Sequence, residues 1–173
     1  GLAAIRVLEA AGVHVDVPED VTGSGRPPFS KGFLDLARNR AEKNVSELAP
    51  KVREGWDVVF IEPSDAVMVQ SDYRDLLDGE DVDRVAGNSY GVMEYLDGFA
   101  LDVPTDGEQS VTYHGHCHQK AIKREHHTTN VLERAGYDVD ELDSGCCGMA
   151  GSFGYEAEHY SMSQAIGSIL FEQ

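Results

Sequence analysis

Apolar residues recur along this chain at two spacings. Between Ser30 and Ala49 they fall at Phe33, Leu34, Ala37, Ala41, Val45 and Leu48, the three- and four-residue steps of a helix, and Pro50 marks its expected end. "LAAIRVLEAAG" reads as a helix closed by Gly12, and "VHVDV" after it alternates as a short strand. "PEDVTGSGRPP" is turn-rich and predicts a loop. "DVVFIEPS" is a buried strand running into a loop, and residues 67–77 and 82–99 read as helices. "SVTYHGHC" is a strand into a loop, followed by helical segments to Ala135. "YDVDEL" is a further strand, and residues 156–171 form the last helix, with Ala157, Tyr160, Met162, Ile166, Ile169 and Leu170 supplying much of its apolar content.

This alternation predicts an α/β fold. The chain also repeats itself. "RVLEAAGVHVDVPEDVTGSGRPPFSKGF" is similar to "NVLERAGYDVDELDSGCCGMAGSFGYEA", and "VVFIEPSDAV" to "VTYHGHCHQK". The expected architecture is two pseudo-symmetric α/β halves, 1–100 and 101–173, each with a short, largely parallel sheet flanked by helices. Cys146, Cys147 and Gly148 then correspond to Gly23, Ser24 and Gly25, and Asp65 takes the place of Cys117.

A length of 173 residues suits one domain or two small lobes, and 41% apolar content suffices for a core. No apolar run approaches the length of a bilayer span. The first residue is not Met and the first helix is amphipathic, not leader-like, so the chain reads as a fragment of a longer one or a processed form. The net charge of −17 argues against nucleic-acid binding, because such a surface repels phosphates. With 31 acidic residues spread along the chain against 14 basic ones, the composition is that of a folded protein adapted to high salt, or of an ordinary acidic cytosolic one.

Charge says little about chemistry; the cysteines say more. There are three, an odd number with no export signal, which points to a reducing compartment. Cys146 and Cys147 are adjacent, and neighbouring cysteines bridge each other poorly. Loops after strands gather at one end of an α/β sheet. If both loops of the second half lie there, Cys117 approaches Cys146 and Cys147, and glycine-rich backbone lets the chain close on a soft metal or an iron–sulfur cluster. The plainer reading of any one thiol is a small buried hydrophobe.

Five of the seven histidines fall between 114 and 127. If the strand runs on through "HGHCH", His114, His116 and His118 point away from Cys117. Alternatively His116 or His118, which flank the cysteine, completes a Cys3His metal site; otherwise these are hydrogen-bonded or solvent-facing residues. His126 and His127 are expected to cap or cover a helix, and His159 to lie one turn inside the last helix. No ferredoxin run C-x2-C-x2-C-x3-C-P and no G-x-G-x-x-G is present.

"HCHQKAI" and "LDSGCCGMAGSFGYEAEHY" resemble the cysteine-rich CCG domain of the heterodisulfide reductase B-subunit type. The likeness is nearest to its C-terminal copy in FAD-linked lactate or glycolate oxidoreductases and in the anaerobic glycerol-3-phosphate dehydrogenase C subunit. "GRPPFSKGFLDLARNRAEKNVSELAP" and "EPSDAVMVQSDYRDLL" resemble the first half of that domain, where cysteines are usual at the positions of Ser24 and Asp65.

The resemblance implies that Cys117, Cys146 and Cys147 hold an iron–sulfur cluster of the 4Fe–4S type, or zinc, with His116 or His118 as a further metal ligand. It implies electron transfer within a flavin-dependent dehydrogenase oxidising glycerol 3-phosphate or a 2-hydroxy acid. FAD would lie on another domain or subunit, a flavoprotein would be the partner and a quinone pool the acceptor. The location implied is cytoplasmic or peripheral at the inner face of the membrane, and this chain alone would not be catalytic. The first half would be a degenerate site, and no C-x-x-C follows Cys147, so the full cysteine set is incomplete. The alternatives are a structural zinc domain that docks subunits, and a thiol enzyme using Cys146 or Cys147 with His118 as base.

Overall fold

The computed structural model describes residues 1–100, 109–143 and 145–173. Its contacts divide the chain into two units, Gly1–Asp102 and Val103–Gln173. The division expected at 100/101 abuts residues 101–108, and Ser144 of the cysteine motif also lies outside the described residues.

Unit 1 is assembled around one long helix. α1 (Leu2–Ala10) and the short α2 (Arg26–Ser30) precede α3 (Leu34–Arg53). α3 buries Ala37, Ala41, Val45, Leu48, Ala49 and Val52, one stripe at helical spacing. Phe33 and Leu34, expected on that stripe, are exposed. Pro50 lies inside α3 and does not end it. It removes one backbone donor near the C-terminal end, and burial of Leu48, Ala49 and Val52 around it holds the last turn. The expected loop 18–28 is shortened, because Pro27 and Pro28 sit in the first turn of α2, where a missing N–H is harmless.

β1 (Val58–Phe60) leads into α4 (Pro63–Val67), a π-helical turn (Met68–Asp72) and α5 (Tyr73–Leu76). The helix expected at 67–77 thus starts at Pro63 and widens at Met68, which places Met68, Val69 and Tyr73 in the core. The single helix expected at 82–99 is α6 (Glu80–Gly87), β2 (Ser89–Gly91) and α7 (Val92–Asp97). The break follows from tertiary hydrogen bonds. Gln70 Nε2, buried in the π turn, donates to the Ser89 carbonyl at 2.8 Å and to Glu94 Oε2 at 2.9 Å, and that carboxylate also accepts from Gly91 N. β2 pairs in parallel with β1, Val58 opposite Ser89.

Residues 13–17 form no strand: Val13 and Val15 alternate with exposed His14 and Asp16, but no ladder forms among the described residues. Alternation supplies a face and not a partner, and a strand needs both.

A polar knot secures the loop ahead of α2. Asn44 Oδ1 accepts from Thr22 N at 2.8 Å, and Asn44 Nδ2 donates to Tyr73 Oη at 3.0 Å. The Tyr73 hydroxyl donates in turn to the Ser24 carbonyl at 2.9 Å. Burial pushes the pKa of Tyr73 up, so the neutral phenol is kept at ordinary pH. Asn44→Ala is expected to cost about 2–4 kcal/mol, since it leaves a buried hydroxyl and an amide short of partners. Denaturant unfolding measures this, and a loss under about 0.5 kcal/mol, the ordinary surface range, would refute the knot's importance.

In unit 2, β3 (Gln109–Tyr113) pairs in parallel with β4 (Tyr137–Glu141), with Val111 opposite Val139. The α/β class, with two short parallel sheets flanked by helices, is as expected. α8 (Cys117–Ala121) and α9 (His126–Arg134) connect the two strands. Two 3-10 turns, Phe153–Tyr155 and Ala157–His159, precede α10 (Tyr160–Phe171), so the last helix starts four residues later than its apolar pattern predicts.

The two units follow different element orders. Unit 1 runs helix, residues 13–17, helices, strand; unit 2 runs strand, helices, strand, helix. Both "VLE.AG" segments nevertheless end alike. Ala11 N and Gly12 N donate to the carbonyls of Val7 and Glu9, as Ala135 N and Gly136 N do to those of Val131 and Glu133. The two glycines have φ of 83° and 88°.

Candidate metal centre

β3 stops at Tyr113, so the strand does not carry His114, His116 and His118 onto a face opposite Cys117. The chain turns at buried Gly115, where a Cβ would meet Lys120 Cε at 2.8 Å and Glu125 Cβ at 3.2 Å. His116 is the N-cap of α8, and its Nδ1 accepts from His118 N at 3.2 Å. Cys117 follows as the first helical residue, with its thiol exposed. The result is a compact donor set: one ligand atom each from His116, Cys117 and His118, all within 4.8 Å of one another. Two imidazoles and a thiolate suit zinc or a similar borderline ion.

The cap carries a chemical constraint. A neutral His116 whose Nδ1 accepts a hydrogen bond holds its proton on Nε2. Ligation by either nitrogen therefore requires a proton shift or release of the cap. His114 lies alongside; burial first, then the Lys120 ammonium and His116, push its pKa down.

Cys146 and Cys147 lie on the loop between β4 and the 3-10 turns, free and half-buried. Gly148 N donates to Cys146 Sγ at 3.4 Å, an N–H···S contact within the loop. Gly148 adopts a φ of 87°, and a Cβ on it would stand 2.2 Å from the Ser163 carbonyl of α10. At Gly167, on the same helix, a Cβ would stand 3.1 Å from the Cys147 carbonyl. Glycines on both sides thus seat the dithiol loop backbone-to-backbone on α10. These two thiols do not join the His116–Cys117–His118 group.

His126 and His127 pack against each other at the start of α9, with ring centroids 4.1 Å apart and the planes tilted by 38°. His159, in a 3-10 turn and not in the last helix, stacks on Phe153 at 4.0 Å and pairs with Glu156 at 2.9 Å.

The corresponding loop of unit 1 holds a hydrogen bond where thiols would be. Ser24 Oγ donates to Asp65 Oδ1 and accepts from Arg26 N at 3.1 Å. Arg26 also forms an ion pair with Asp72. A guanidinium beside the pair opposes a cation there. Gly25 mirrors Gly148: its φ is 91°, and a Cβ would sit 3.2 Å from the Ala37 carbonyl of α3. Sequence reasoning missed the roles of Asn44, Gly115 and Gly167. A glycine within an otherwise apolar helix was the available signal for the last.

Residues 111–169 match the cysteine-rich domain family CCG. Across 98% of its length the chain is 29% identical to the C subunit of the anaerobic glycerol-3-phosphate dehydrogenase of Escherichia coli, covering 44% of that protein. It is 27% identical to the D-2-hydroxyglutarate dehydrogenase of the same organism, covering 17% of it. Over 88% of the chain it is 24% identical to lactate utilization protein A of Geobacillus thermodenitrificans, covering 66% of that protein. The chain thus spans less than half of the first of these relatives. No solved structure matches it.

Proposed function

We propose that this chain, whose residues 111–169 match the cysteine-rich domain family CCG, is the electron-transfer portion of a flavin-dependent dehydrogenase acting on glycerol 3-phosphate or a 2-hydroxy acid. One observation carries the reading: all three thiols lie in unit 2, Cys117 at the start of α8 and the Cys146–Cys147 pair on the loop after β4, where glycine packing holds it with an amide directed at sulfur. Bound there, an iron–sulfur cluster would supply a one-electron relay. Cys117, Cys146 and Cys147 would hold it. Gly148 N directs its hydrogen at Cys146 Sγ, and α10 fixes the pair in place. Joining Cys117 to that pair requires the loops to close.

Substrate chemistry and FAD are assigned to a flavoprotein partner, and a quinone pool is the proposed acceptor. No helix among the described residues is long and apolar enough to cross a membrane.

A second reading rests on the His116–Cys117–His118 group, which needs no loop closure to take a single ion. On that reading the domain binds zinc and docks subunits.

Anaerobic purification followed by iron, zinc and acid-labile sulfide analysis, beside a visible spectrum, separates the two. Iron and sulfide in comparable amounts with broad visible absorption are expected. Colourless protein with zinc supports the second reading, and protein with neither metal refutes both.

A further inference from the structure

We propose that unit 1 receives one more β-strand, inserted between residues 13–17 and β1, and that this strand belongs to the same polypeptide and enters ahead of α1. The inference does not depend on any metal.

Internal repetition is the first support. α1 and α9 end in the same hydrogen-bonded cap and left-handed glycine. After the cap in unit 2 comes β4, and β4 is paired with β3, which precedes the helices. After the same cap in unit 1 come residues 13–17, with the alternation of a strand and no ladder among the described residues. Unit 1 has a sequence counterpart of β3 in β1, but β1 follows α3, and among the described residues no strand stands ahead of α1 as β3 stands ahead of α9.

Space of the right form is the second. A cavity of about 530 Å³ is bordered by Leu8, Val13, Val15, Val59, Ile61 and Tyr95, among others. Another, of about 310 Å³, is bordered by Val17, Leu48, Val58, Phe60 and Val69. Val13–Val17 and β1 with its following residue contribute to both. Ile61 borders only the first cavity, Val58 and Phe60 only the second, and Val59 both. Ile61 thus faces one cavity and Val58 and Phe60 the other, as residues of opposite parity along an extended segment do. A strand lying between would send alternate side chains into each cavity.

Edge exposure is the third. Among the described residues β1 pairs on one side only, with β2. Ile61 and Val17, beside the gap, are 55% and 65% exposed. An open apolar edge of this kind accepts another strand.

The occupant's chemistry follows. Both cavities are lined largely by aliphatic side chains, so the strand is apolar on both faces, as a central parallel strand is. Asp16, Asp57 and Asp65 border the gap and exclude acidic residues. The strand runs parallel to 13–17, as β3 does to β4. Its C-terminal end then arrives beside Ser24 and Asp65. A strand of the same polypeptide is favoured over a foreign one because in unit 2 the order is strand, α8, α9, so the missing piece precedes α1 by a short connection.

Backbone amide exchange tests this on the 173-residue chain and on the same polypeptide extended upstream through its native preceding residues. Amides of 13–17 and 58–60 are expected to exchange at least about 100-fold more slowly in the longer chain. Val59→Glu, which places a charge in the gap, is expected to return them to the short-chain rates while leaving the short chain's melting temperature unchanged. Equal rates in the two chains would overturn the proposal. Protection in the short chain that grows with concentration would assign the slot to a second copy, and so overturn the assigned source.

Discussion

Gly148→Ala is expected to destabilise unit 2 by roughly 3 kcal/mol or more, from two effects acting together. A φ of 87° is costly for any L side chain, by roughly 1–2 kcal/mol. The new methyl would also stand 2.2 Å from the Ser163 carbonyl, a backbone atom that moves only if α10 moves. Overpacking of that kind adds roughly 1–3 kcal/mol. Gly151→Ala is the control. Gly151 has a φ of 68° with nothing within 4 Å of its added Cβ, so it carries the conformational cost alone. Chemical unfolding of both variants measures the difference. Equal losses would mean that the contact between the dithiol loop and α10 is not what seats the loop. The same substitution should displace the Gly148 amide from Cys146 Sγ.

Cys147→Ser should abolish iron and sulfide binding and visible absorption in anaerobically prepared protein, with at least about a tenfold fall in metal per chain, the usual scale for a lost ligand or its support. The melting temperature of the metal-free protein should hardly change, because a half-buried thiol is replaced by a near-isosteric hydroxyl. Asp65→Ala is expected to leave metal content intact, since unit 1 fills its corresponding loop with the Ser24–Asp65 hydrogen bond. Full zinc content in the Cys147→Ser protein would place the ion on His116, Cys117 and His118 and remove the cluster reading. Metal lost from the Asp65→Ala protein would show that unit 1 supports the site after all.

Much of this was legible in the residues. The stripe of α3 announces itself from Ala37 to Leu48, because a helix packed on one side must repeat every three or four residues. The paired "VLE.AG" segments foretold two equivalent helix ends, and the glycines there take the left-handed φ that such caps require. Candidate ligands are legible by type alone, since few side chains bind soft metals and this chain has only three thiols. Other features were not legible. β2 exists because Gln70, nineteen residues away, donates to the Ser89 carbonyl, and no local pattern encodes that partner. Residues 13–17 have the alternation of a strand without its ladder, since pairing depends on a neighbour and not on propensity.

The sequence by itself determined which residues are able to bind metal, the α/β class and the doubling of a helix–turn unit. These depend on residue type and short-range periodicity. Tertiary structure alone decided which of those residues meet. His116, Cys117 and His118 cluster because β3 ends at Tyr113 and a helix begins at Cys117. The dithiol pair rests on α10 because glycines at 148 and 167 let two backbones touch. Convergence of ligands depends on where strands end and how closely chains approach, and those distances are set by packing between segments far apart in sequence.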